Sequence, residues 1–201
     1  MGLTEKLKAI ADAIRSKTGE TELLTLDAMP SAIEGIQTGG GGSDAELIAL
    51  FEGTATEFTV PNGCTEIRQR LFYGYANLVS ISLPDGITNI GEYAFYGCSN
   101  LVLTSLPSNL EIIANYALSN CTKMELKSIP NSVKEVNICS FAYCHGLSTI
   151  TFEGKPTMIS SRAFQNCSNL KTINVPWAEG AVANAPWGAT NATIVYNYTG
   201  R

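Results

Sequence analysis

A β solenoid of parallel strands with a small α-helical module at its N-terminal end is the fold class that this 201-residue sequence predicts. Three observations predict it. Residues of one kind recur at 23-residue intervals in several columns at once. Each interval opens with a short alternating run, most of them ended by proline. The first 38 residues do not repeat, but they carry an apolar stripe at helical spacing.

The columns set everything else. Prolines stand at 61, 84, 107, 130 and 176, with Glu153 where the missing one falls. The same step separates Phe72, Phe95, Leu118, Phe141 and Phe164, and likewise Leu78, Leu101, Met124, Leu147 and Leu170. It also separates Ile67, Ile90, Ile113, Val136 and Ile159. A unit of this length is too short to enclose a core, so its apolar face must be buried against copies stacked on either side.

The runs FTVP, ISLP, ITFE and INVP alternate with β-branched residues and read as short strands. Proline closes most of them by withholding a ladder donor. Strands stack about 4.8 Å apart, so five to six coils make a right-handed body roughly 25–30 Å long. The tight corner of each unit carries Gly74, Gly97, Asn120 or Asn166, residues that tolerate positive φ. Tyr143 occupies the same column, which predicts a differently built fourth corner. LVLTSLP and MELKSIP place Leu103 and Leu126 one residue early, leaving Thr104 and Lys127 where Ile81 and Ile150 stand. That shift predicts a bulge or twist in mid-stack.

Cys98, Cys121, Cys144 and Cys167 keep the same step beside the phenylalanine column. They read as a structural ladder of buried thiols, each a small hydrophobe. A metal centre needs ligands that converge, which a straight row does not supply. Cys144 precedes the only histidine, His145. Adjacent strand side chains point to opposite faces, and no orienting group or oxyanion site accompanies the pair. The residues therefore predict no catalytic site, no metal and no cofactor. A net charge of −5 with no basic run argues against nucleic acid. The GGGGS at 39–43 lacks the Lys-Ser/Thr of a phosphate loop and reads as a linker.

LVSISLPDGITNIGEYAFYGC, residues 78–98, matches almost position for position the consensus of the BspA-type leucine-rich repeats found in bacterial surface and phage-associated proteins. The resemblance covers residues 58–176. It implies a non-catalytic recognition role, with a surface carbohydrate or protein as partner. Two outward features are candidate binding surfaces. One is the small polar column Thr59, Ser82, Ser105, Ser128, Thr151 and Asn174; the other is the tyrosine set around the corners, Tyr73, Tyr75, Tyr93, Tyr96, Tyr116 and Tyr143. A tyrosine offers an apolar face with a polar tip, suited to recognition.

At the N-terminal end, Leu3, Leu7, Ile10 and Ile14 form an a/d seam on a helix in a leader module, residues 1–38. The seam packs within the chain or pairs with a second copy. Residues 44–57 read as an N-terminal cap. Residues 177–201, with Trp177, Trp187 and a strand in TNATIVYNY, read as a C-terminal cap. The leader and linker resemble the attachment segment of tail-associated proteins from phages and prophages of Gram-positive bacteria. That resemblance implies association with the virion and binding of a bacterial surface polymer. The repeats taken alone imply a cell-surface or secreted adhesin for a host protein. The N-terminus lacks the apolar core of a secretory signal, and no run of about 18 apolar residues would insert in a membrane. Synthesis in the bacterial cytoplasm with association to a virion follows as the expectation, the cell surface being the alternative.

Overall fold

The computed structural model describes Ala49, residues 53–60 and residues 62–200. The expected helical leader, the 39–43 linker, most of the 44–57 cap and the seam residues Leu3, Leu7, Ile10 and Ile14 lie outside the described residues. Within them the chain winds as a solenoid of short parallel strands. In order they are β1 (Glu57–Thr59), β2 (Glu66–Ile67), β3 (Ser80–Ser82), β4 (Asn89–Ile90), β5 (Ile112–Ile113), β6 (Ser128–Ile129), β7 (Glu135–Val136), β8 (Thr149–Phe152), β9 (Met158–Ile159), β10 (Thr172–Asn174) and β11 (Thr193–Val195).

They make one five-stranded sheet, β2-β4-β5-β7-β9, and a second line of strands split into β1-β3 and β6-β8-β10-β11. Every pairing joins residues 23 apart, as Ile67↔Ile90 and Ile150↔Ile173 do, except the last, Ile173↔Ile194. The register thus follows from the repeat itself. The three apolar columns are buried to 0–1% exposure throughout. Rings in the phenylalanine column stack face to face where they are adjacent, Phe72 on Phe95 at 5.1 Å and Phe141 on Phe164 at 5.2 Å. Each such side chain contributes about 1.5–3 kcal/mol by leaving water.

Trp187 and Trp177 are buried at the far end, where both pack on Phe152 at 6.1 and 5.5 Å. Beyond them β11 pairs with β10.

The corners hold the coils together. Gly74, Gly97, Asn120, Tyr143 and Asn166 all take positive φ, between 59° and 75°. From this turn the N–H of Gly74, Gly97, Asn120 and Tyr143 donates to the carbonyl 22 residues on, as in Gly97 to Ser119 at 2.9 Å and Tyr143 to Gln165 at 2.9 Å. The expectation of a differently built fourth corner is corrected: Tyr143 adopts the same left-handed geometry, because the forward bond requires it. A second left-handed column, Arg70, Tyr93, Tyr116 and Cys139, opens each corner with φ between 53° and 58°.

The mid-stack shift has a larger effect than a bulge. Leu103 and Leu126 turn inward, at 5% and 1% exposure, while Thr104 and Lys127 are exposed. No strand forms across residues 101–107, and the ladder between β3 and β6 is interrupted. The fourth unit absorbs the same shift, because Thr151 N–H still reaches the Lys127 carbonyl at 2.9 Å and β6 pairs with β8.

The ladder thiols lie inside. Cys98, Cys121, Cys144 and Cys167 donate Sγ hydrogen bonds to the carbonyls of Phe72, Phe95, Leu118 and Phe141 at 2.9–3.2 Å. All six cysteines are free thiols. Burial pushes Cys98 and Cys167 up to about 12, and it holds Cys121 and Cys144 well above the ordinary 9.0. An unfolded chain loses these protons from about pH 9, whereas the folded chain keeps them until about 12. Stability is therefore complete below the unfolded value and falls as pH rises through this window. We expect urea midpoints to drop between about pH 8 and pH 11. In the native protein at neutral pH a thiol reagent is expected to label half-buried Cys64 first, and the ladder only after unfolding.

Backbone crowding makes a second test. A Cβ at Gly146 would collide with the Met124 carbonyl oxygen, whereas one at Gly63 meets nothing within 4 Å. Gly146→Ala is expected to destabilise by about 2 kcal/mol or more. Gly63→Ala should change stability by less than about 1 kcal/mol, both read from denaturant midpoints.

Candidate functional site

The corner geometry builds the most distinctive surface of the molecule. A left-handed residue turns its side chain outward from the corner, and the coil repeat sets the next one directly beside it. Arg70, Tyr93 and Tyr116 share one column in this way; Cys139 continues it with the same left-handed turn but is buried, and Arg162 follows at the same spacing. The Arg70 guanidinium lies 5.5 Å over the Tyr93 ring. Tyr93 and Tyr116 stack at 4.9 Å with their planes 2° apart. The parallel column three residues on places Tyr73 on Tyr96 at 5.1 Å and 8°. Tyr93 meets Tyr96 edge to face at 5.6 Å and joins the two rows.

The result is a ridge of four contiguous tyrosines, half-buried except Tyr73 at 39% exposure. At its far end Cys139 Sγ lies 3.6 Å from Gln165 Oε1. The neighbouring thiol raises the Tyr116 phenol above its ordinary value, first by charge and then by their hydrogen bond.

Two of the six sequence-predicted tyrosines stand apart. Tyr75 is buried against Phe72, edge to face at 5.7 Å, and burial pushes its phenol up to about 12. It occupies the first rung of the cysteine column, so it serves the core and not the surface. Tyr143 sits in the other left-handed column, 6.4 Å from the His145 ring. His145 is hydrogen-bonded through Nδ1 to Ser168 Oγ at 3.0 Å, while Cys144 Sγ points inward to Leu118. The adjacent thiol and imidazole thus have separate partners. Among the described residues no cluster of three His, Cys, Asp or Glu could hold a metal ion.

The small polar column divides in two. Thr59, Ser82 and Ser105 are exposed. Further along, Ser128 Oγ donates to Glu153 Oε1 at 2.6 Å and Asn174 Nδ2 to Thr151 Oγ1 at 3.1 Å. That half of the column is spent on internal bonds, and Asn174 is only 8% exposed. The break in the sheet falls between Ser82 and Ser105.

Residue-by-residue inspection missed Arg70, Cys139 and Arg162, since none resembles a tyrosine; their 23-residue spacing was the available signal. It also missed an asparagine column. Asn77, Asn100 and Asn169 each donate Nδ2 to a carbonyl 24 residues back, at 3.1, 2.7 and 2.8 Å, and stitch neighbouring coils.

Known proteins share this architecture. A family model described as the BspA type leucine rich repeat region matches residues 50–179 in six copies. No curated protein matches the sequence. Among solved structures, the leucine rich repeat protein of T. pallidum is similar with a TM-score of 0.53 and 23% identity over 72% of this chain and 70% of that one. A leucine-rich repeat protein from Eubacterium ventriosum gives 0.52 and 30% identity over 60% of this chain and 32% of its own. The pneumococcal vaccine antigen PcpA gives 0.52 and 19% over 72% of this chain and 42% of its own. The chain therefore spans well under half the length of the last two. At 23% and 19% identity the likeness speaks to the fold alone. Among the described residues no helix is long and apolar enough to cross a membrane. With two thirds of its length matched by the family model and its buried columns, parallel ladders and thiol rungs all keeping one 23-residue step, the chain belongs to the BspA-type leucine-rich repeat family.

Proposed function

We propose that this chain is a non-catalytic recognition protein that binds a bacterial surface polysaccharide on the tyrosine ridge, and that its leader attaches it to a phage tail. One observation carries the ligand: two ridge tyrosines, Tyr93 and Tyr116, sit at left-handed φ of 55° and 56°. For a bulky L residue that conformation costs about 1–3 kcal/mol, which asparagine or glycine would largely avoid. Backbone strain kept at a solvent-facing position, and repeated in register, supports a use for the ring itself. Stacked phenols present flat apolar faces rimmed by hydroxyls, which complement the C–H face and hydroxyl rim of a pyranose. The leader's resemblance to tail-associated proteins supports the attachment.

The test is binding of the labelled full-length chain to Gram-positive cell walls and, beside them, to mammalian cells with matrix proteins. We expect saturable wall binding that falls at least tenfold in Tyr93→Asn/Tyr116→Asn. Because asparagine accepts the left-handed turn, this variant should lose no more than about 1 kcal/mol of stability. Binding to the host panel alone would turn the reading to an adhesin for a host protein. Wall binding untouched by the double variant would remove the ridge from it. Recovery of the chain in induced phage particles checks the attachment.

A further inference from the structure

The interrupted sheet leaves a half-open hollow apart from the ridge, floored by the edge of the core. It has a volume of about 320 Å³ and lies between Ile81–Leu83 with Asp85 on one side and Val102–Pro107 on the other. Its walls are rich in unpaired backbone. β3 is bonded to β1 only, so its opposite edge presents free ladder groups. The N–H groups of Leu103, Thr104, Ser105 and Leu106 have no partner among the described residues.

Both ends of the gap are nevertheless pinned. Val102 N–H donates to the Val79 carbonyl at 2.9 Å. At the other end Ser108 donates its N–H and hydroxyl to Asp85 Oδ1 at 3.0 and 2.8 Å, and Asn109 Nδ2 donates to the Asp85 carbonyl at 3.0 Å. The five-stranded sheet continues unbroken behind, pairing Ile90 with Ile113 across the same two units. The hollow is therefore preformed, with its backbone held at both ends.

We propose that this hollow binds a single pyranose-sized polyhydroxyl ligand, a neutral or amino sugar, at a site separate from the tyrosine ridge. Five features select that chemistry. A volume near the lower limit for ligand pockets admits a small compact molecule. A peptide strand needs an edge open beyond both ends of the contact, and the two pins deny it one. The walls offer N–H donors, hydroxyls and carbonyls together, and a sugar hydroxyl both donates and accepts. Leu103 and Leu106 line the floor at 5% and 8% exposure, and Val102 stands on the rim at 37%, which suits the C–H face of a ring. Asp85 is the one charged side chain in the lining, and it disfavours an anionic sugar. The Ser108 bonds keep it ionised by holding its carboxyl below the ordinary value.

Saturation-transfer NMR on the full-length chain tests this with glucose, galactose, mannose, rhamnose, N-acetylglucosamine, sialic acid and trialanine, each alone. At least one neutral or amino sugar should give a saturable signal. Exchanging two residues, Leu103→Thr with Thr104→Leu, gives the third unit the alternation that the second has and should close the gap, cutting that signal at least tenfold. Ser105→Phe fills the hollow from an exposed position without disturbing the register, and should do the same even if the exchange variant does not fold. Tyr93→Asn/Tyr116→Asn should leave the signal unchanged, so the hollow and the ridge fail separately. The proposal is overturned if no neutral or amino sugar binds saturably, or if only sialic acid or trialanine binds. It is equally overturned if the signal survives Ser105→Phe or is lost with the tyrosines.

Discussion

The structure depends on one repeated hydrogen bond, the N–H of a left-handed corner residue reaching forward to the next coil. Gly74 finds Tyr96, Gly97 finds Ser119, Asn120 finds Ala142 and Tyr143 finds Gln165, at 2.7–2.9 Å. A short unit cannot satisfy its own corner N–H groups, and burying one unpaired costs about 1–3 kcal/mol. Each coil thus requires its neighbour, and the 22-residue reach of the bond fixes the 23-residue period of the side chains. The ring spacings follow from the same constraint. Phe72–Phe95, Tyr73–Tyr96 and Tyr93–Tyr116 all lie 4.9–5.1 Å apart, close to the strand spacing of a sheet. Core stacking and surface stacking share one cause.

That constraint also explains what is free to vary. Stability in a solenoid is a sum of nearest-neighbour interfaces, so an interface with several ladders can lose one. Between the second and third units the strip sheet is lost, yet the corner bonds and the β4–β5 pairing remain. The opposite trade is absent: within the described residues every corner from Gly74 to Tyr143 keeps its forward bond, even where a tyrosine must bear the strained φ.

How far the sequence alone revealed this follows from the same physics. Inward positions were legible because burial demands an apolar residue at every repeat, so Phe72 to Phe164 and Leu78 to Leu170 declare themselves. Outward positions carry no such demand. The ridge column reads Arg70, Tyr93, Tyr116, Cys139, Arg162, and its first four members share a left-handed backbone conformation with little common chemistry. Grouping the tyrosines by type put Tyr75 on the surface; grouping by column would have placed it on the cysteine ladder, where it is buried at 8%. The mid-stack shift was visible at Leu103 and Leu126 alike. Their different outcomes depend on a partner strand beyond each, β8 accepting the fourth unit and Asp85 drawing the third unit's turn toward the second.

The two surface features fall in the same part of the stack. Tyrosines occupy the ridge columns in the first three units only, and Ser119, Ala142 and Gln165 continue the Tyr73–Tyr96 column without a ring. The hollow opens between the second and third units. Toward the other end the exposed polar groups bond to one another, as Ser128 does with Glu153, and the last turns bury Trp177 and Trp187 over Phe152. The later coils are therefore closed upon themselves, while the earlier ones keep rings and backbone groups unspent. Because coupling in such a stack passes only between adjacent coils, the closed half acts as a rigid support for the open one. Strain at Tyr93 and Tyr116 and an open ladder at Ser105 are tolerable there because the cost of each is carried by interfaces that are otherwise complete.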